Sequence, residues 1–251
     1  LLFRVGAYFL SKIFTPAKSP IILNGMVSGN KYTKVQVNPT KREPKPILRS
    51  INEDQGMEFT WNTWIYIENV FSESSSTYNR IFSKGGDEKI NHEISLDGTT
   101  VVENKFLNVT PGLFLEKGLN KLVFVINTFD ESESVSETSI PYEIIEIEDV
   151  PIHKWVCCTM RIQNKTVDVY INGVLTKRVN LERVPRQNYG NIHVGDYTSG
   201  LNGYVSALRY FNYAIGNGKI QDIVQQGPNL KMIGSGMESS PPYLSMNWYL
   251  K

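Results

Sequence analysis

The stretch HKWVCCTMRIQNKTVDVYINGVLTKRV, residues 153–179, predicts three consecutive antiparallel strands. Apolar residues alternate along its first two segments, so each predicted strand has one face suited to a core. These residues are Val156, Cys158, Met160 and Ile162 on the first strand and Val167, Val169 and Ile171 on the second. Asn172-Gly173 follows, and this dipeptide is the strongest two-residue signal for a tight hairpin turn. Three hairpin-linked strands exclude a doubly wound parallel fold for this part of the chain.

Further strands are predicted on both sides of this stretch. Runs of strand-forming residues occupy 57–70, 80–86, 89–96, 99–106, 121–128 and 142–148. The one convincing internal helix is GKIQDIVQQG, residues 218–227. A chain of 251 residues is long enough for one large β domain, and its 41% of hydrophobic residues can form a core. The pattern predicts an all-β sandwich.

The two ends of the chain differ from this pattern. Residues 1–14 predict an apolar helical segment, and its apolar residues at helical spacing are Leu2, Val5, Phe9 and Ile13. A helix needs about 20 residues to span a bilayer, so we expect this segment to be the end of a spanning helix, an interfacial membrane helix or a helix docked on another protein. Residues 15–50 predict a basic, Pro-rich extended linker or clamp, and residues 231–251 a tail that returns as a strand.

The net charge of +1 is distributed unevenly. Residues 1–50 contain nine Lys or Arg and one acid, Glu43, whereas the rest of the chain contains 17 bases and 24 acids. A basic arm next to an apolar segment suits an anionic membrane surface or nucleic acid, or it is a solvated linker. The mildly acidic body does not suit nucleic acid, so we expect no specific nucleic-acid binding.

Cysteine and histidine usage narrows the choice of sites. Cys157 and Cys158 are adjacent on a predicted strand and point to opposite faces, so they neither pair with each other nor share a metal. His92, His153 and His193 lie far apart without metal-like spacing and are interpreted as solvated or packing side chains.

A set of motifs extends along residues 51–230. The positions are Trp155, Tyr170 to Gly173, Gly195, Gly203 to Val205, Arg209 to Ala214 and Ile220 to Pro228. This set resembles the laminin-G-like, concanavalin A-like jelly-roll module of lectins and glucanases. The resemblance implies an antiparallel β-sandwich with an N-terminal apolar helix and an extended arm. The flanks PILRSINEDQGMEFTWNTWIYI and PPYLSMNWYL are similar to modules of this kind encoded by large DNA viruses of algae and protists.

The enzymes of this fold need carboxylates that flank the scissile bond. The segment EIIEIEDV, residues 143–150, puts Glu146 and Glu148 on one face, but Ile144 and Val150 stand where further carboxylates are needed. We therefore interpret it as an acidic edge strand and expect no enzymatic activity.

Calcium is the cofactor that the resemblance leaves open, and no other cofactor is expected. Many relatives carry an Asp just after the Gly-Tyr-Val motif, whereas this chain has Ser206 and Ala207 there, so that metal position does not carry over. Asp196 with Asn202 is a remaining alternative.

Sugar recognition is the second open question. Tyr197 lies in the loop 195–202, where a rim site is expected, and we predict Tyr197, Asp196 and Asn202 as carbohydrate-binding candidates. The other aromatic residues considered are interpreted as core, because aromatic residues on strands mostly pack inward. They are Trp61, Trp64, Trp155, Tyr204, Tyr210 and Tyr213.

These observations predict a non-enzymatic structural or interaction module. Its N-terminal arm would tether it to a membrane or to neighbouring virion or capsid proteins, as a component of a large DNA virus particle in an infected host cell. A carbohydrate-binding lectin module is the alternative hypothesis, and a glycoside hydrolase is the third.

Overall fold

The computed structural model describes residues 3–8, 17–41, 44–54, 56–71, 77–85, 91–96, 99–104, 108–129 and 140–233, with backbone alone for 91–96 and 99–104. Two antiparallel sheets pack face to face in this part of the chain. The predicted all-β sandwich is therefore confirmed.

Sheet I contains seven strands. They are β1 (Met26–Ser28), β3 (Ile51–Glu53), β4 (Gly56–Ile67), β11 (Trp155–Asn164), β12 (Thr166–Ile171), β13 (Val174–Asn180) and β15 (Gly203–Phe211). Their order across the sheet is β1-β15-β4-β11-β12-β13, and β3 pairs with the start of β4. The hairpins β11–β12 and β12–β13 confirm the three consecutive strands predicted from residues 153–179.

Sheet II contains six strands. They are β2 (Thr33–Val35), β5 (Tyr78–Gly85), β8 (Val109–Glu116), β9 (Lys121–Asn127), β10 (Tyr142–Glu148) and β14 (Asn191–Val194). Their order is β10-β9-β8-β5-β14-β2. A separate hairpin joins β6 (Asn91–Leu96) to β7 (Thr99–Asn104). Two helices complete the description, α1 over residues 3–8 and α2 at Asn217–Gln226.

The core lies between the inner faces of the sheets. The inward residues predicted for β11 and β12 are part of it: Val156, Cys158, Met160, Ile162, Val167 and Val169 are buried, and Ile171 packs against them. Trp61 of β4 stacks on Phe82 of β5 with ring centroids 5.5 Å apart, which joins the two sheets. Alternation along the strands thus identifies the core face correctly.

A second buried cluster lies on the outer face of sheet I. It consists of Trp64, Cys157, Tyr170 and Phe211 packed under Ile220 and Ile223 of α2, and we call it the covered cluster. The helix confirms the prediction over 218–227. Because Cys157 belongs to this cluster and Cys158 to the core, the two free thiols lie on opposite faces, as predicted.

The N-terminal arm contributes strands to both sheets. β1 pairs with β15, and β2 pairs with β14. The sequence predicts that the sandwich begins at residue 51, which leaves β1 and β2 in the linker. In the structure both strands belong to the sandwich. Each strand is only three residues long, which is too short for alternation to be visible in the sequence.

The strand β8 is absent from the sequence prediction. Thr110-Pro111-Gly112 reads as a break, because proline cannot donate to a sheet ladder. In the structure Pro111 falls in an irregularity of the β5–β8 pairing, between the pairs Ser83–Gly112 and Gly85–Val109. The ladder therefore does not need the missing N–H group.

The C-terminal tail is described only as far as residue 233. Within the described residues it runs beside β1, where Met26 donates to the Lys231 carbonyl at 2.7 Å and Ile233 donates to the Met26 carbonyl at 2.9 Å. The rest of the predicted tail strand lies outside the described residues, as does the loop 130–139.

Candidate binding site

Three aromatic side chains lie in a line on the outer face of sheet I. They are Tyr204, Tyr66 and Trp155, on the adjacent strands β15, β4 and β11, and we call them the aromatic row. The register aligns them, because Tyr66 is the pairing partner of both Tyr204 and Trp155. Ring centroids are 6.3 Å apart for Tyr204–Tyr66 and 5.6 Å apart for Tyr66–Trp155, with tilts of 54° and 52°. All three side chains are half-buried, so part of each ring meets solvent.

The rings of the aromatic row point outward because side chains alternate between the two faces along each strand. The chain neighbours Ile65, Ile67, Val205 and Val156 are 0% exposed in the core, so the residues between or beside them face outward. β15 also comes close to β4 at this point. Gly203 has φ +149°, and a Cβ there would lie 1.9 Å from the Tyr66 carbonyl oxygen. Only glycine permits this approach.

Polar residues adjoin the aromatic row at the end of the sheet. We call Asn202, Glu68 and His153 the polar border, since each lies two residues from a member of the row. The Glu68 amide donates to the Asn202 carbonyl at 3.0 Å, and the His153 amide donates to the Ile67 carbonyl at 2.9 Å. Glu68 and His153 are exposed and Asn202 is half-buried. The border therefore places an acidic residue, a histidine and an asparagine at the end of the aromatic row.

The predicted loop residues Asp196 and Tyr197 lie elsewhere, beside the turn at residues 29–32. Tyr197 is 72% exposed, and its ring lies 6.0 Å from that of Tyr32 at a tilt of 51°. The Asp196 carboxylate accepts hydrogen bonds from the Thr198 amide at 3.1 Å and the Thr198 hydroxyl at 3.2 Å, and it lies 3.6 Å from Arg80. Its visible contacts are those of a turn residue.

Histidine 193 is a packing residue, as predicted. It is 1% exposed, and its Nδ1 lies 2.7 Å from the Tyr32 hydroxyl. The two rings stack at a centroid distance of 5.8 Å. His153, in contrast, is exposed in the polar border, and the side chain of His92 lies outside the described residues.

The acidic strand β10 is an edge strand of sheet II, as predicted. Glu146 and Glu148 are both exposed, and Val150 is buried. Glu146 lies 3.4 Å from Lys121, which in turn lies 3.1 Å from Glu116. The hydrogen bond from Lys121 to Glu116 raises the pKa of the lysine. These contacts are those of a surface ion network, with no third carboxylate at Ile144 or Val150.

Ser206 and Ala207, which follow the Gly-Tyr-Val motif, have structural roles. The Ser206 hydroxyl donates to the Asn229 carbonyl at 2.7 Å and accepts from the Asn229 amide at 3.0 Å. Ala207, at φ 49°, packs into the covered cluster. Among the described residues no group of three or more His, Cys, Asp or Glu side chains could hold a metal ion.

The predicted tether is described only in part. Val5 lies in α1 and is 47% exposed, next to Phe3 at 86%. Leu2, Phe9 and Ile13 lie outside the described residues. No helix in the described ranges is both long and apolar enough to span a membrane.

Sequence reasoning missed the aromatic row as a site. The sequence predicts six aromatic residues as core. Trp61, Trp64 and Tyr210 are buried, as expected, whereas Trp155, Tyr204 and Tyr213 are half-buried, with Trp155 and Tyr213 packed against the covered cluster. Tyr66 was not singled out. The strand register is the signal that identifies the row: Trp155, which begins β11, pairs with Tyr66, and Tyr66 lies two residues beyond the buried Trp64 on β4.

No protein-family model matches the chain, and no curated protein matches it. Among solved structures it is similar to the botulinum neurotoxin serotype D binding domain, at 13% identity and TM-score 0.47, over 70% of this chain and 39% of that one. It is also similar to the receptor binding domain of botulinum neurotoxin D, at 12% identity and TM-score 0.47, over 83% and 48%.

A third similar structure is the botulinum neurotoxin serotype G binding domain, at 12% identity and TM-score 0.46, over 80% of this chain and 46% of that one. The chain thus spans less than half the length of each of the three. We draw no functional conclusion from similarities with TM-scores below 0.5.

Proposed function

We propose that this β-sandwich is a non-enzymatic binding module whose ligand is a carbohydrate. One observation carries the proposal: three partly exposed rings lie in line across three strands. The C–H faces of pyranose rings are apolar and pack well against aromatic rings, which offer a large and rigid contact area. Adjacent strands are about 4.8 Å apart, so successive sugar units of one chain can each meet a ring.

The polar border supports the same ligand class. The carboxylate of Glu68 accepts hydrogen bonds from hydroxyl groups, and the side chains of His153 and Asn202 can both donate and accept. Two residues of extended chain, about 6.6 Å, separate the border from the row, so one oligosaccharide can contact both. Small-ligand sites commonly combine an apolar wall with a few polar groups that fix orientation.

The arrangement favours binding over cleavage. Hydrolysis of a glycosidic bond uses two carboxyl groups on either side of that bond. The polar border supplies one, Glu68. The acidic strand β10 belongs to the other sheet, at its edge.

A glycan array followed by calorimetric titration tests the proposal. We expect saturable binding of one class of oligosaccharide, and we expect Trp155→Ala to weaken the affinity by about tenfold or more, because it removes the largest ring. Trp155→Phe, which keeps an aromatic face, should retain most of the affinity.

Tyr189→Ala is the matched control, since Tyr189 is 71% exposed and lies outside the aromatic row. Absence of saturable binding across the array, or an unchanged affinity in Trp155→Ala, rejects the carbohydrate proposal. Release of reducing sugar that disappears in Glu146→Gln would instead support the hydrolase hypothesis.

We also propose that α1 tethers the module to an anionic membrane surface. Phe3 and Val5 expose apolar side chains, and the segment to residue 50 carries a strong excess of Lys and Arg. Apolar contact plus basic charge is the usual combination for binding at a membrane interface. Presentation on a membrane or on a large DNA virus particle stays a prediction that rests on the sequence.

Liposome flotation tests the tether with a deletion of residues 1–16. This deletion keeps β1 and β2, whereas removing residues 1–50 would also remove strands of both sheets. We expect the full chain to float with anionic vesicles and the deletion variant to stay in the soluble fraction. Equal flotation of the two proteins rejects the tether.

A further inference from the structure

A small cavity, open to solvent on one side, lies at one end of the sandwich, away from the aromatic row. Its volume is about 20 Å³. Its lining comes from both sheets and from the segment before β14, and includes Met57, Lys84, Thr110, Arg186 and Asn188. A cavity of this size holds about one small molecule or ion.

Lys84 is the unusual member of this lining. It lies on β5 opposite Ile192, a core residue, so its side chain enters the space between the sheets. It is only 4% exposed. The ammonium donates to the Asn188 carbonyl and, at 3.3 Å, to the Gly190 carbonyl. An ammonium has three N–H groups, so one donor remains for a further acceptor.

The cavity is electropositive. Arg186 also lines it, and the described lining residues include no Asp or Glu. Within the described part of the chain, Lys84 and Arg186 form no ion pair with a carboxylate. Burial lowers the pKa of Lys84 to about 8, so the amine stays mostly protonated at neutral pH. An unpaired buried charge is costly, and a bound anion would reduce that cost.

Close backbone packing holds the two acceptor carbonyls in place. A Cβ at Gly190 would lie 2.2 Å from the Gly85 carbonyl oxygen, and one at Gly85 would lie 1.7 Å from that of Asn108. The Asn188 side chain donates to the Asn108 carbonyl at 2.8 Å. The segment around Asn188 is thus fixed against the end of β5, which keeps the Lys84 ammonium at the cavity wall.

We propose that this cavity binds a single monovalent anion of halide size, held by the Lys84 ammonium and the positive charge of Arg186. The anion supplies the acceptor for the third N–H of Lys84 and the negative charge that the described lining lacks. A space of about 20 Å³ suits an ion of halide size better than a bulkier anion. The site is independent of the carbohydrate site on the outer face of sheet I.

Thermal unfolding in sodium chloride and in sodium gluconate at equal ionic strength tests the site. Gluconate, a much bulkier anion, serves as the reference. We expect chloride to raise the Tm by about 3 °C once it exceeds its Kd tenfold. The shift should be lost in Lys84→Met. Lys45→Met is the matched control, because the Lys45 ammonium also donates to a carbonyl, that of Ile22 at 2.9 Å, but lies outside the cavity.

Bromide soaking of crystals of the parent protein gives a second readout that needs no folded variant. We expect an anomalous peak beside Lys84 Nζ. A peak found there together with a chloride-dependent Tm supports the site. Equal Tm values in chloride and gluconate, a chloride shift retained in Lys84→Met, or density of a water without anomalous signal overturns it.

Discussion

The aromatic row and the covered cluster use the same strands and the same residue types, yet only one of them is core. Trp64 and Tyr66 are two residues apart on β4 and face the same side of sheet I. Trp64 is 6% exposed, because Ile220 and Ile223 of α2 pack over its cluster. Tyr66 lies beside that cluster and stays half-exposed.

The difference shows that the covering helix, and not the strand sequence, separates core aromatics from available ones. β11 shows a graded version of this division, since Cys157 is buried in the covered cluster, whereas Trp155, two residues earlier, is half-buried and packs against the edge of that cluster. An aromatic residue on an outer face is therefore a site candidate only where no helix or loop covers it. Substitutions in the covered cluster should mainly reduce stability, whereas substitutions in the aromatic row should mainly reduce ligand affinity.

Replacing a tryptophan in each region gives the largest contrast. We expect Trp64→Ala to lower the free energy of unfolding by about 3–5 kcal/mol, because it leaves a cavity beneath α2. Trp155→Ala should cost less, about 2 kcal/mol, since that ring packs against the covered cluster but part of it already meets water. Urea unfolding followed by tryptophan fluorescence measures both. Equal losses would mean that α2 does not distinguish the two regions.

The sequence predicts the sandwich well because its core signal is local. Alternation at Val156, Cys158, Met160 and Ile162, followed by Asn172-Gly173, defines the hairpins without knowledge of the rest of the chain. Asn172 and Gly173 have φ of 51° and 81°, the backbone that such a turn requires. Strands of three residues, such as β1 and β2, are too short to show alternation, so the sequence predicts them as part of the extended N-terminal arm.

The candidate binding site is less predictable from the sequence, because it depends on which part of the outer face of sheet I is covered by α2. The sequence predicts the helix over 218–227 but not its position over Trp64 and Phe211. The sequence predicts Tyr197 as a carbohydrate-binding residue because it lies in a loop. It predicts Trp155 and Tyr204 as core residues because they lie on strands. Lys84 is a similar case: Lys84-Gly85-Gly86 lacks the full phosphate-loop spacing and is interpreted as a turn, whereas Lys84 lies in β5 and its pairing with Ile192 directs it inward.

The outer face of sheet I carries charge rather than aromatic residues where β11, β12 and β13 meet. Asp168 accepts hydrogen bonds from Arg161 at 2.5 Å and from Arg178 at 2.5 Å. Burial opposes ionisation of this carboxyl, but the hydrogen bonds from the two arginines outweigh that effect and hold its pKa below the ordinary value. The charged form is therefore the one that stabilises the fold.

Asp168→Asn should accordingly have a pH-dependent effect. A carboxyl with a lowered folded pKa contributes stability above its unfolded pKa of about 3.9, and this contribution is lost as pH falls through the folded value. We expect the variant to be about 2 kcal/mol less stable than the parent at pH near 7, with a smaller gap in acid. Urea unfolding at neutral and acid pH measures the gap.

Glu146→Gln is the control for this prediction, because Glu146 is an exposed carboxylate that pairs with a surface lysine at 3.4 Å. Surface pairs contribute little, so we expect a change within about 0.5 kcal/mol at either pH. A gap between Asp168→Asn and the parent that stays constant as pH falls would show that Asp168 acts through packing alone.

The smallest expected effect is that of Tyr197→Ala. Tyr197 is 72% exposed and contacts Tyr32 rather than the aromatic row. Its removal should change the free energy of unfolding by less than about 0.5 kcal/mol and leave oligosaccharide affinity unchanged. Titration with the ligand that Trp155→Ala loses measures the affinity. If Tyr197→Ala abolishes binding while Trp155→Ala does not, the ligand site lies at the loop 195–202, and the exposed rings of sheet I are an uncovered extension of the packing beneath α2.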